Sequence, residues 1–310
     1  MTKKLIAVVG PTGSGKSDLA IRLAQSLNAK GIKSEIINAD SMQLYRGMNI
    51  GTAKLALSER GGIEHHLLDV LEVTEESTAA AYQEIARPLI EKLQGEGVVP
   101  ILVGGSMLYL AAVLNNFAFA ARDAELRANL EQQLELEGLA AMYRKLELLD
   151  ADTASRIDSM NPRRVVRALE IVTLTGESFA AELPKEIESW QPVLEIGLNS
   201  ERAHLVDRLA LRVKKMWSDG LLGEVENLVD LGLRDGKTAS LAIGYSQALA
   251  QLDGKLSETE AIEQTTQLTQ RYARRQMSWF RRDNRINWLD YQDPAMFEKA
   301  ESLLLSSLGE

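Results

Sequence analysis

Apolar runs alternate with stretches of helical periodicity along the chain as far as residue 198. Most intervals between these runs carry apolar residues at helical spacing. Such alternation predicts right-handed strand–helix–strand units with a parallel sheet, and therefore an α/β fold. After residue 200 the pattern is mainly helical, apart from a short strand pattern in INWLD. The other strands are predicted at residues 5–9, 34–39, 66–70, 98–103 and 193–198.

Residues 121–190 interrupt this alternation, because they carry amphipathic helix patterns and no strand pattern. In NPRRVVRALEIVTLTG, Asn161 suits a helix cap, Pro162 the first helical position and Gly176 the helix end. We therefore predict a helical insertion domain that divides a larger α/β core, with a mainly helical C-terminal part. The predicted domains are a catalytic core of residues 1–120 and 191–310 and an insertion of residues 121–190.

The composition excludes several classes of site. The chain of 310 residues has no cysteine, which excludes disulfides, thiolate chemistry and zinc fingers, and with three histidines we expect no histidine-based metal site. The N-terminus runs into a strand without a cleavable leader, and no apolar run approaches the roughly 20 residues that span a bilayer. We expect a cytoplasmic monomer that does not contact membranes.

The charge is distributed unevenly. The net charge is −9, yet residues 271–285 hold six arginines and one aspartate, a local +5 that leaves −14 on the rest. An acidic chain with one arginine-rich segment indicates an anion-binding site. On a helix around 269–282, Trp279 and Phe280 are predicted to pack in the core, while spacings of three and four place several polar residues near one face. These are Arg271, Arg274, Ser278, Arg281 and Arg285.

The stretch GPTGSGKS follows the first predicted strand and precedes a helix. It fits the pattern G-x-x-x-x-G-K-[ST], in which glycines let backbone N–H groups surround a phosphate. The helix N-terminus and Lys16 add positive charge, and Ser17 offers a hydroxyl to Mg²⁺. We predict a P-loop NTPase-like parallel sheet core. The predicted phosphate-binding residues are Gly10, Pro11, Thr12, Gly13, Ser14, Gly15, Lys16 and Ser17.

The residues at the predicted strand ends indicate which kind of phosphate-containing ligand the loop binds. Ligands bind beyond the carboxyl ends of parallel strands, so the ends at Asp40 and at 104–106 should meet the loop at one crevice. A kinase or ATPase usually carries a second apolar strand that ends in an acidic residue, whereas the strand at 98–103 ends in GGS. A small-molecule kinase and a non-catalytic RNA-binding protein stay open as alternatives at this point.

Seven sequence blocks occur in the order found in bacterial tRNA dimethylallyltransferases (isopentenyltransferases) and cover nearly the whole chain. The blocks are GPTGSGKS, DSMQLYRGMNIGTAK, HHLLDV, GGSMLY, NPRRVVRALE, AIGYSQ and RRQMSWFRR. The chain resembles this family, which implies that the loop binds the diphosphate of dimethylallyl diphosphate. The resemblance also implies transfer of the dimethylallyl group to N6 of the adenine at tRNA position 37, beside the anticodon. Transfer to free AMP or ADP would leave the insertion and the arginine-rich helix without a use.

The resemblance assigns roles to individual residues. Asp40 would accept a proton from adenine N6, while Lys16 and a Mg²⁺ ion held through Ser17 would neutralise the leaving diphosphate. Ser106 stands where the family usually has threonine, and its hydroxyl would bond to the substrate nucleotide. Arg212 matches a position that reaches the diphosphate, with a solvated helix face as the alternative. The implied catalytic residues are Asp40, Ser106 and Lys16.

The same resemblance implies contacts with the anticodon stem-loop of tRNA. Arg163 and Arg167 lie one helical turn apart and could hold a phosphate together. NFAFAARD, which precedes the block of Arg127, lacks the prolines expected there, so the hinge of the insertion stays open. His65 and His66 are interpreted as structural. The implied tRNA-binding residues are Asp40, Ser41, Met42, Gln43, Ser106, Arg127, Arg163, Arg164, Val165, Val166, Arg167, Arg274, Arg275, Gln276 and Arg281.

Overall fold

A computed structural model describes residues 4–116, 119, 122–178 and 188–309 of the protein. The contacts within it divide the chain into two units. The core unit comprises Met1–Asn116 and Ser189–Glu310, and the helical unit comprises Phe117–Glu188. No helix in the described ranges is long and apolar enough to cross a membrane.

A six-stranded parallel sheet forms the centre of the core unit, in the order β3-β2-β4-β1-β5-β6. Alternate residues of its middle strand enter opposite apolar clusters: Leu5 and Ala7 pack on one face, and Ile6 and Val8 on the other. Both faces are buried, which is why such strands have continuous apolar runs. The α/β prediction is confirmed. The strands are β1 Leu5–Val9, β2 Ser34–Asn38, β3 His65–His66, β4 Val99–Gly104, β5 Val193–Asn199 and β6 Asn287–Asp290.

Twelve α-helices are present in the described ranges, and α4 to α7 belong to the helical unit. Leu23 of α1 and Leu304 of α12 pack on one face of the sheet, whereas Ile90 of α2 and Val113 of α3 pack on the other. The helices are α1 Lys16–Ala29, α2 Ala79–Gly95, α3 Met107–Leu114, α4 Ala124–Glu137, α5 Leu139–Leu149, α6 Ala151–Arg156, α7 Pro162–Thr175, α8 Arg202–Ser218, α9 Leu221–Asp230, α10 Tyr245–Leu252, α11 Glu258–Phe280 and α12 Met296–Leu308.

The strand predicted at 66–70 is wrong over most of its length, because β3 ends at His66. The following residues turn instead: Leu67 and Asp69 have positive φ values of 58° and 55°, which an extended strand excludes. Leu67 packs in the apolar cluster between the sheet and α2, so an apolar residue in this stretch belongs to a turn that packs on the core and not to a strand. The last strand forms where INWLD predicts it.

Helices α8, α9 and α10 pack with the segment that follows β2 in a separate apolar cluster. Tyr45 of that segment is fully buried there. The Glu224 carboxylate on α9 accepts the N–H groups of Asn49 and Ile50 at 3.1 and 2.8 Å, and the Tyr245 hydroxyl at 2.6 Å. These contacts fix the course of the segment, which forms part of the cleft described below.

The helical unit has an apolar core of its own, formed by residues of α4 to α7. Asn161 caps α7 by accepting the N–H of Arg164 at 3.2 Å, Pro162 is its first residue, and Gly176 ends it with a φ of 70°. These three predictions are confirmed. The amphipathic pattern that precedes α7 in the insertion begins with two helices, because a φ of 79° at Gly138 separates α4 from α5.

Candidate active site

The segment between β1 and α1 turns tightly around the N-terminus of α1. Gly10, Gly13 and Gly15 have φ values of 145°, 77° and 86°, which residues with side chains rarely adopt. Gly15 caps α1, and a Cβ there would lie 2.5 Å from the Tyr291 ring. The glycines are therefore required by the conformation of the loop, which presents the positive end of a helix to an anion.

Lys16 begins α1, and its Nζ donates to the Pro11 carbonyl at 2.7 Å. Burial lowers the pKa of Lys16 to about 8, while the charge of Asp40 opposes this shift and that of Arg212 adds to it. A desolvated cation is stabilised when an anion enters its surroundings. The surroundings of Lys16 and the loop therefore suit an anion.

Gln276 of α11 braces this loop. Its Oε1 accepts the N–H of Thr12 at 2.9 Å, and its Nε2 donates to the carbonyl of Gly105, just after β4, at 2.7 Å. The side chain is buried, and its amide joins the loop to the neighbouring strand end. The predicted contact of Gln276 with tRNA stays a prediction. Ser14 is also fully buried: its N–H donates to the Pro11 carbonyl at 3.3 Å, and its Oγ has no hydrogen-bond partner among the described residues.

The ends of β2 and β4 meet beside the loop. A side chain on Gly104 would collide with the carbonyl just after β2, so glycine permits this approach. The Asp40 Oδ1 accepts the N–H of Met42 at 2.9 Å, and the Ser106 Oγ accepts the N–H of Ser41 at 2.9 Å. Both side chains thus bond to the backbone of the segment that follows β2. The predicted meeting of the strand ends is confirmed.

The loop, Lys16, Asp40 and Gly104 line one cleft of the core unit, with a volume of about 520 Å³. Arg212 of α8 lies in its wall, and its Nη2 donates to the Thr52 carbonyl at 3.4 Å. Burial lowers the pKa of Arg212, whereas the charge of Asp40 raises it. The alternative of a solvated helix face for Arg212 is therefore wrong. Lys16 and Arg212 supply positive charge for a phosphate in the cleft that also holds the Asp40 carboxylate.

Tyr272 of α11, which sequence reasoning missed, lies beside the predicted catalytic groups. Burial, together with the charge of Asp40, raises the pKa of its hydroxyl to about 12, while the nearby side chains of Ser106 and Gln276 oppose this shift. Tyr272 and Gln276 are four residues apart, so they share one face of the helix. That spacing is the sequence signal that could have revealed the tyrosine.

Comparison with known proteins agrees with this geometry. The family model described as IPP transferase matches residues 43–283. The chain belongs to the IPP transferase family. A tRNA dimethylallyltransferase of Thermobifida fusca is 50% identical over 300 residues, which cover 97% of this chain and 94% of that protein. One of Clavibacter sepedonicus is 51% identical over 296 residues, or 96% of each chain.

Solved structures support the same family. The tRNA isopentenylpyrophosphate transferase of Bacillus halodurans matches with a TM-score of 0.73 and 37% identity, over 99% of this chain and 97% of that one. A eukaryotic dimethylallyltransferase, described as acting on tRNA, matches with a TM-score of 0.80 and 29% identity, over 98% and 79%. The resemblance drawn from the seven sequence blocks is confirmed, and it extends over nearly the whole chain.

In this IPP transferase, α11 carries exposed arginines near its C-terminal end. Phe280 is buried as predicted, but the prediction for Trp279 is wrong, because its side chain is 41% exposed. An aromatic side chain at the surface among arginines can stack on a base. The exposed arginines of this segment are Arg271, Arg274, Arg275, Arg281 and Arg282.

Arg285 does not share that helix face, because α11 ends at Phe280. Its guanidinium instead pairs with Asp283 at 2.5 Å and donates to Asn115 at 2.7 Å and to Ser189 at 2.6 Å. We therefore correct its placement: Arg285 joins segments of the core unit, and the predicted anion-binding face comprises the arginines before it.

The residues of the helical unit that the resemblance assigned to tRNA differ in their surroundings. The side chains of Val165 and Val166 are buried in the core of this unit, and the predicted tRNA contacts of these two residues stay predictions. The Nη1 atoms of Arg127 and Arg167 pair with the buried Glu170 carboxylate at 3.1 and 2.9 Å. The predicted tRNA contacts of these two arginines stay predictions. Arg163 and Arg164 are exposed near the start of α7.

The two histidines of β3 have structural partners. His66 Nε2 and Glu35 Oε2 share a hydrogen bond of 2.7 Å, and His65 Nδ1 bonds to the Ile63 carbonyl at 2.8 Å. No group of three or more metal-ligating side chains occurs where the structure describes the chain. Their interpretation as structural residues agrees with these contacts.

Proposed function

We propose that this IPP transferase moves a dimethylallyl group from dimethylallyl diphosphate to N6 of the adenine at tRNA position 37, releasing diphosphate. The observation that carries the proposal is the cleft itself. It combines the phosphate loop, Lys16 and Arg212 with the carboxylate of Asp40 in one volume, in a chain whose relatives are named tRNA dimethylallyltransferase.

The leaving group determines what the loop must do. Diphosphate departs only when its growing negative charge is neutralised, and preorganised donors in a shielded site do this well. The N-terminus of α1 and Lys16 meet this requirement at the loop, and Arg212 meets it from α8. These groups hold the donor and stabilise the charge that develops on it.

The acceptor determines what Asp40 must do. Adenine N6 is a poor nucleophile, because its lone pair is delocalised into the ring. A carboxylate that takes the N6 proton localises that pair as the bond from N6 to C1 of the prenyl group forms and the C1–O bond breaks. The Met42 N–H holds one oxygen of Asp40, so the carboxylate is oriented before the substrate arrives.

Ser106 positions the same segment. Its Oγ accepts the Ser41 N–H at 2.9 Å and lies 3.2 Å from the Ser41 hydroxyl. A hydroxyl in this place keeps the backbone beside Asp40 fixed and can bond to the substrate nucleotide. The methyl group that threonine would add takes no part in either contact.

The residues of the loop fit a Mg²⁺ ion. Mg²⁺ usually keeps several waters and binds through one or two protein oxygens together with substrate phosphates, so a cluster of protein ligands is not required. Ser17 and Asp18 both line the cleft at the start of α1. When bound through Ser17, the ion would supply further neutralisation of the diphosphate.

The arginines of α11 and of α7 are proposed to hold the anticodon stem-loop. Phosphate contacts position an RNA, whereas an unpaired loop can present a base that is turned out of its stack. Transfer to N6 requires such an extruded adenine. Arg274 on α11 and Arg281, which caps the C-terminal end of α11, are exposed and suit this task, and Arg163 suits it on α7. We propose a cytoplasmic monomer.

Mass spectrometry of tRNA nucleosides tests the proposal. The protein is incubated with bulk tRNA and Mg²⁺, with either labelled dimethylallyl diphosphate or labelled ATP. We expect label from dimethylallyl diphosphate in an adenosine carrying one dimethylallyl group, and no consumption of ATP. Consumption of ATP alone would indicate a kinase, and consumption of neither would indicate a non-catalytic RNA-binding protein. An arm with AMP in place of tRNA checks for transfer to the free nucleotide.

A further inference from the structure

Arg208 lies one helical turn before Arg212 on α8, and both residues line the cleft beside the phosphate loop. Residues four apart on a helix share one face. Resemblance to the family gives Arg212 a role, but Arg208 has none in the proposed function. Its position in the wall of the cleft therefore needs its own explanation.

The Nη1 atom of Arg208 is buried and has no hydrogen-bond partner among the residues that the structure describes. Buried donors are nearly always paired, and an unpaired charged donor is especially costly. A guanidinium group only donates, so the missing partner must be an acceptor. In the wall of a cleft, a ligand oxygen can be that acceptor.

Tyr291, which follows β6, fixes the position of this guanidinium. The Arg208 guanidinium carbon lies 4.3 Å from the centroid of the Tyr291 ring, a cation–π contact. The Tyr291 N–H donates to the Asn199 carbonyl at the end of β5 at 2.8 Å. The same ring fills the space that a Cβ atom on Gly15 would need. Arg208 is therefore held close to the phosphate loop.

The charges around the cleft favour an anion at this point. Lys215, one turn after Arg212, pairs with Asp219 at 2.9 Å. Lys16, Arg208 and Arg212 form no such ion pair within the described ranges; Asp40 acts on Lys16 and Arg212 through its charge. Three cations therefore share one cleft without a carboxylate at contact distance, an arrangement that a multiply charged ligand stabilises.

We propose that Arg208 is a further ligand of the donor's diphosphate, and that Tyr291 is the positioning residue that aims it. This inference rests on the proposed function. When the C1–O bond of the donor breaks, the electron pair stays on the diphosphate oxygen, and Arg208 stabilises that charge with N–H bonds. Arg208 exchanges no proton, because a guanidinium stays protonated. The N6 proton still passes to Asp40.

Calorimetric titration with inorganic diphosphate in the presence of Mg²⁺ tests the contact without prenyl transfer. We expect R208Q to weaken diphosphate binding about tenfold to a hundredfold, as expected when a charge-assisted hydrogen bond is removed. R208K should recover part of the affinity, since an ammonium group keeps the charge but lacks the planar fork. Arg202, exposed at the start of the same helix, provides the matched control R202Q, which should bind like the unmodified protein.

The role of Tyr291 is tested in the same titration. Y291F keeps the ring and should bind diphosphate with normal affinity. Y291A should lose part of the diphosphate affinity that R208Q loses. In the Y291A/R208Q double variant, the two losses of affinity should not add. Melting temperatures and tRNA binding without donor check that each variant is folded.

Equal diphosphate affinities for R208Q, R208K and the unmodified protein would overturn the inference. Loss of tRNA binding by R208Q to the same extent as loss of diphosphate binding would also overturn it, since that indicates a structural role. Prenyl transfer by the unmodified protein is measured on the same preparation. If it fails while R208Q still weakens diphosphate binding, the proposed function is wrong and the diphosphate contact stands.

Discussion

The two units use pairs of arginines in opposite ways. In the helical unit, Arg127 of α4 and Arg167 of α7 share the carboxylate of Glu170, which is fully buried. In the core unit, Arg208 and Arg212 line a cleft and form no ion pair with a carboxylate among the described residues. The residue type alone does not distinguish the two pairs, because only the surroundings of each arginine show whether it has a carboxylate partner.

In the helical unit, the positive charge of the arginines stabilises the fold. In the cleft, it has no carboxylate partner in the part of the chain that the structure describes and is available to a ligand. A buried carboxylate such as Glu170 must be paired, and here its partners join α4 to α7. Positive charge in a cleft without such a partner is stabilised by an incoming anion. Removal of charge from the cleft should therefore affect catalysis, whereas removal from the helical unit should affect stability.

The largest expected effect is that of Asp40→Asn. Asparagine keeps the shape of the side chain but cannot accept the N6 proton, so turnover should fall by roughly 10²–10⁴, while the free energy of unfolding changes little. Single-turnover prenyl transfer and denaturant unfolding measure the two quantities. Asp207→Asn, at an exposed position of α8, is the control. Near-normal turnover of Asp40→Asn would reduce Asp40 to a turn residue.

Lys16→Ala should lose roughly 2–4 kcal/mol of transition-state stabilisation, because one charged contact to the leaving diphosphate disappears. Its affinity for tRNA without donor should stay the same. The ratio kcat/KM for dimethylallyl diphosphate and a tRNA binding titration measure these quantities. Lys30→Ala, exposed just after the other end of α1, should change neither. A Lys16 variant with full activity, or one that only fails to bind tRNA, contradicts the assignment of the loop.

In the helical unit, Glu170→Gln should lower the free energy of unfolding by about 3 kcal/mol, the usual cost of removing one partner from a buried ion pair. The guanidinium groups of Arg127 and Arg167 would both lose the negative charge of the Glu170 carboxylate. Denaturant unfolding followed by circular dichroism gives the value. Glu131→Gln, a half-exposed partner of Arg127 four residues away, should cost only about 0.5 kcal/mol. Equal costs for both variants would remove the contrast between the units.

The smallest expected effect concerns the exposed arginines of α11. Replacement of Arg274 and Arg281 with glutamate should weaken the binding of all tRNAs about equally, since phosphate contacts carry no sequence information. For each arginine–phosphate interaction that the replacement removes, the log–log dependence of tRNA affinity on salt should shrink in slope by roughly 0.7 to 0.9. Salt-titrated tRNA binding measures this slope.

The control for that experiment replaces Lys30 and Lys92 with glutamate. Lys30 caps the C-terminal end of α1, and Lys92 lies in the last turn of α2. If Arg274 and Arg281 stabilise the fold instead, their double variant will melt earlier, and its salt slope will match that of the unmodified protein. The arginines of α11 would then belong with those of the helical unit.

Much of the fold follows from local patterns. Both faces of a parallel sheet are buried, so β1 and β4 stand out as apolar runs. The ends of α7 follow from Asn161 and Gly176, because the preference of these residue types for helix caps is local. The strand predicted at 66–70 is wrong because an apolar run does not show whether its residues extend or turn. The positive φ of Leu67 depends on packing against the rest of the chain.

The candidate site divides in the same manner. The loop between β1 and α1 is a local motif that needs only glycines and the start of a helix, so its conformation could be predicted from the sequence. Its binding of phosphate stays a prediction. Arg285 was placed by helical spacing, Trp279 was predicted to lie in the core, and Gln276 was assigned to tRNA by the family resemblance. Their surroundings depend on where α11 ends and on which strand ends it contacts, and spacing along one helix does not contain that information.

The sequence by itself determined the alternation of strands and helices, the phosphate loop and the family, because each depends on neighbouring residues or on ordered blocks. Only the tertiary structure decided which charges meet. It brought Asp40 and Arg212, far apart in the chain, into one cleft, and it placed Glu170 between two arginines. Electrostatic energy depends on distance and burial, and both are set when the chain packs.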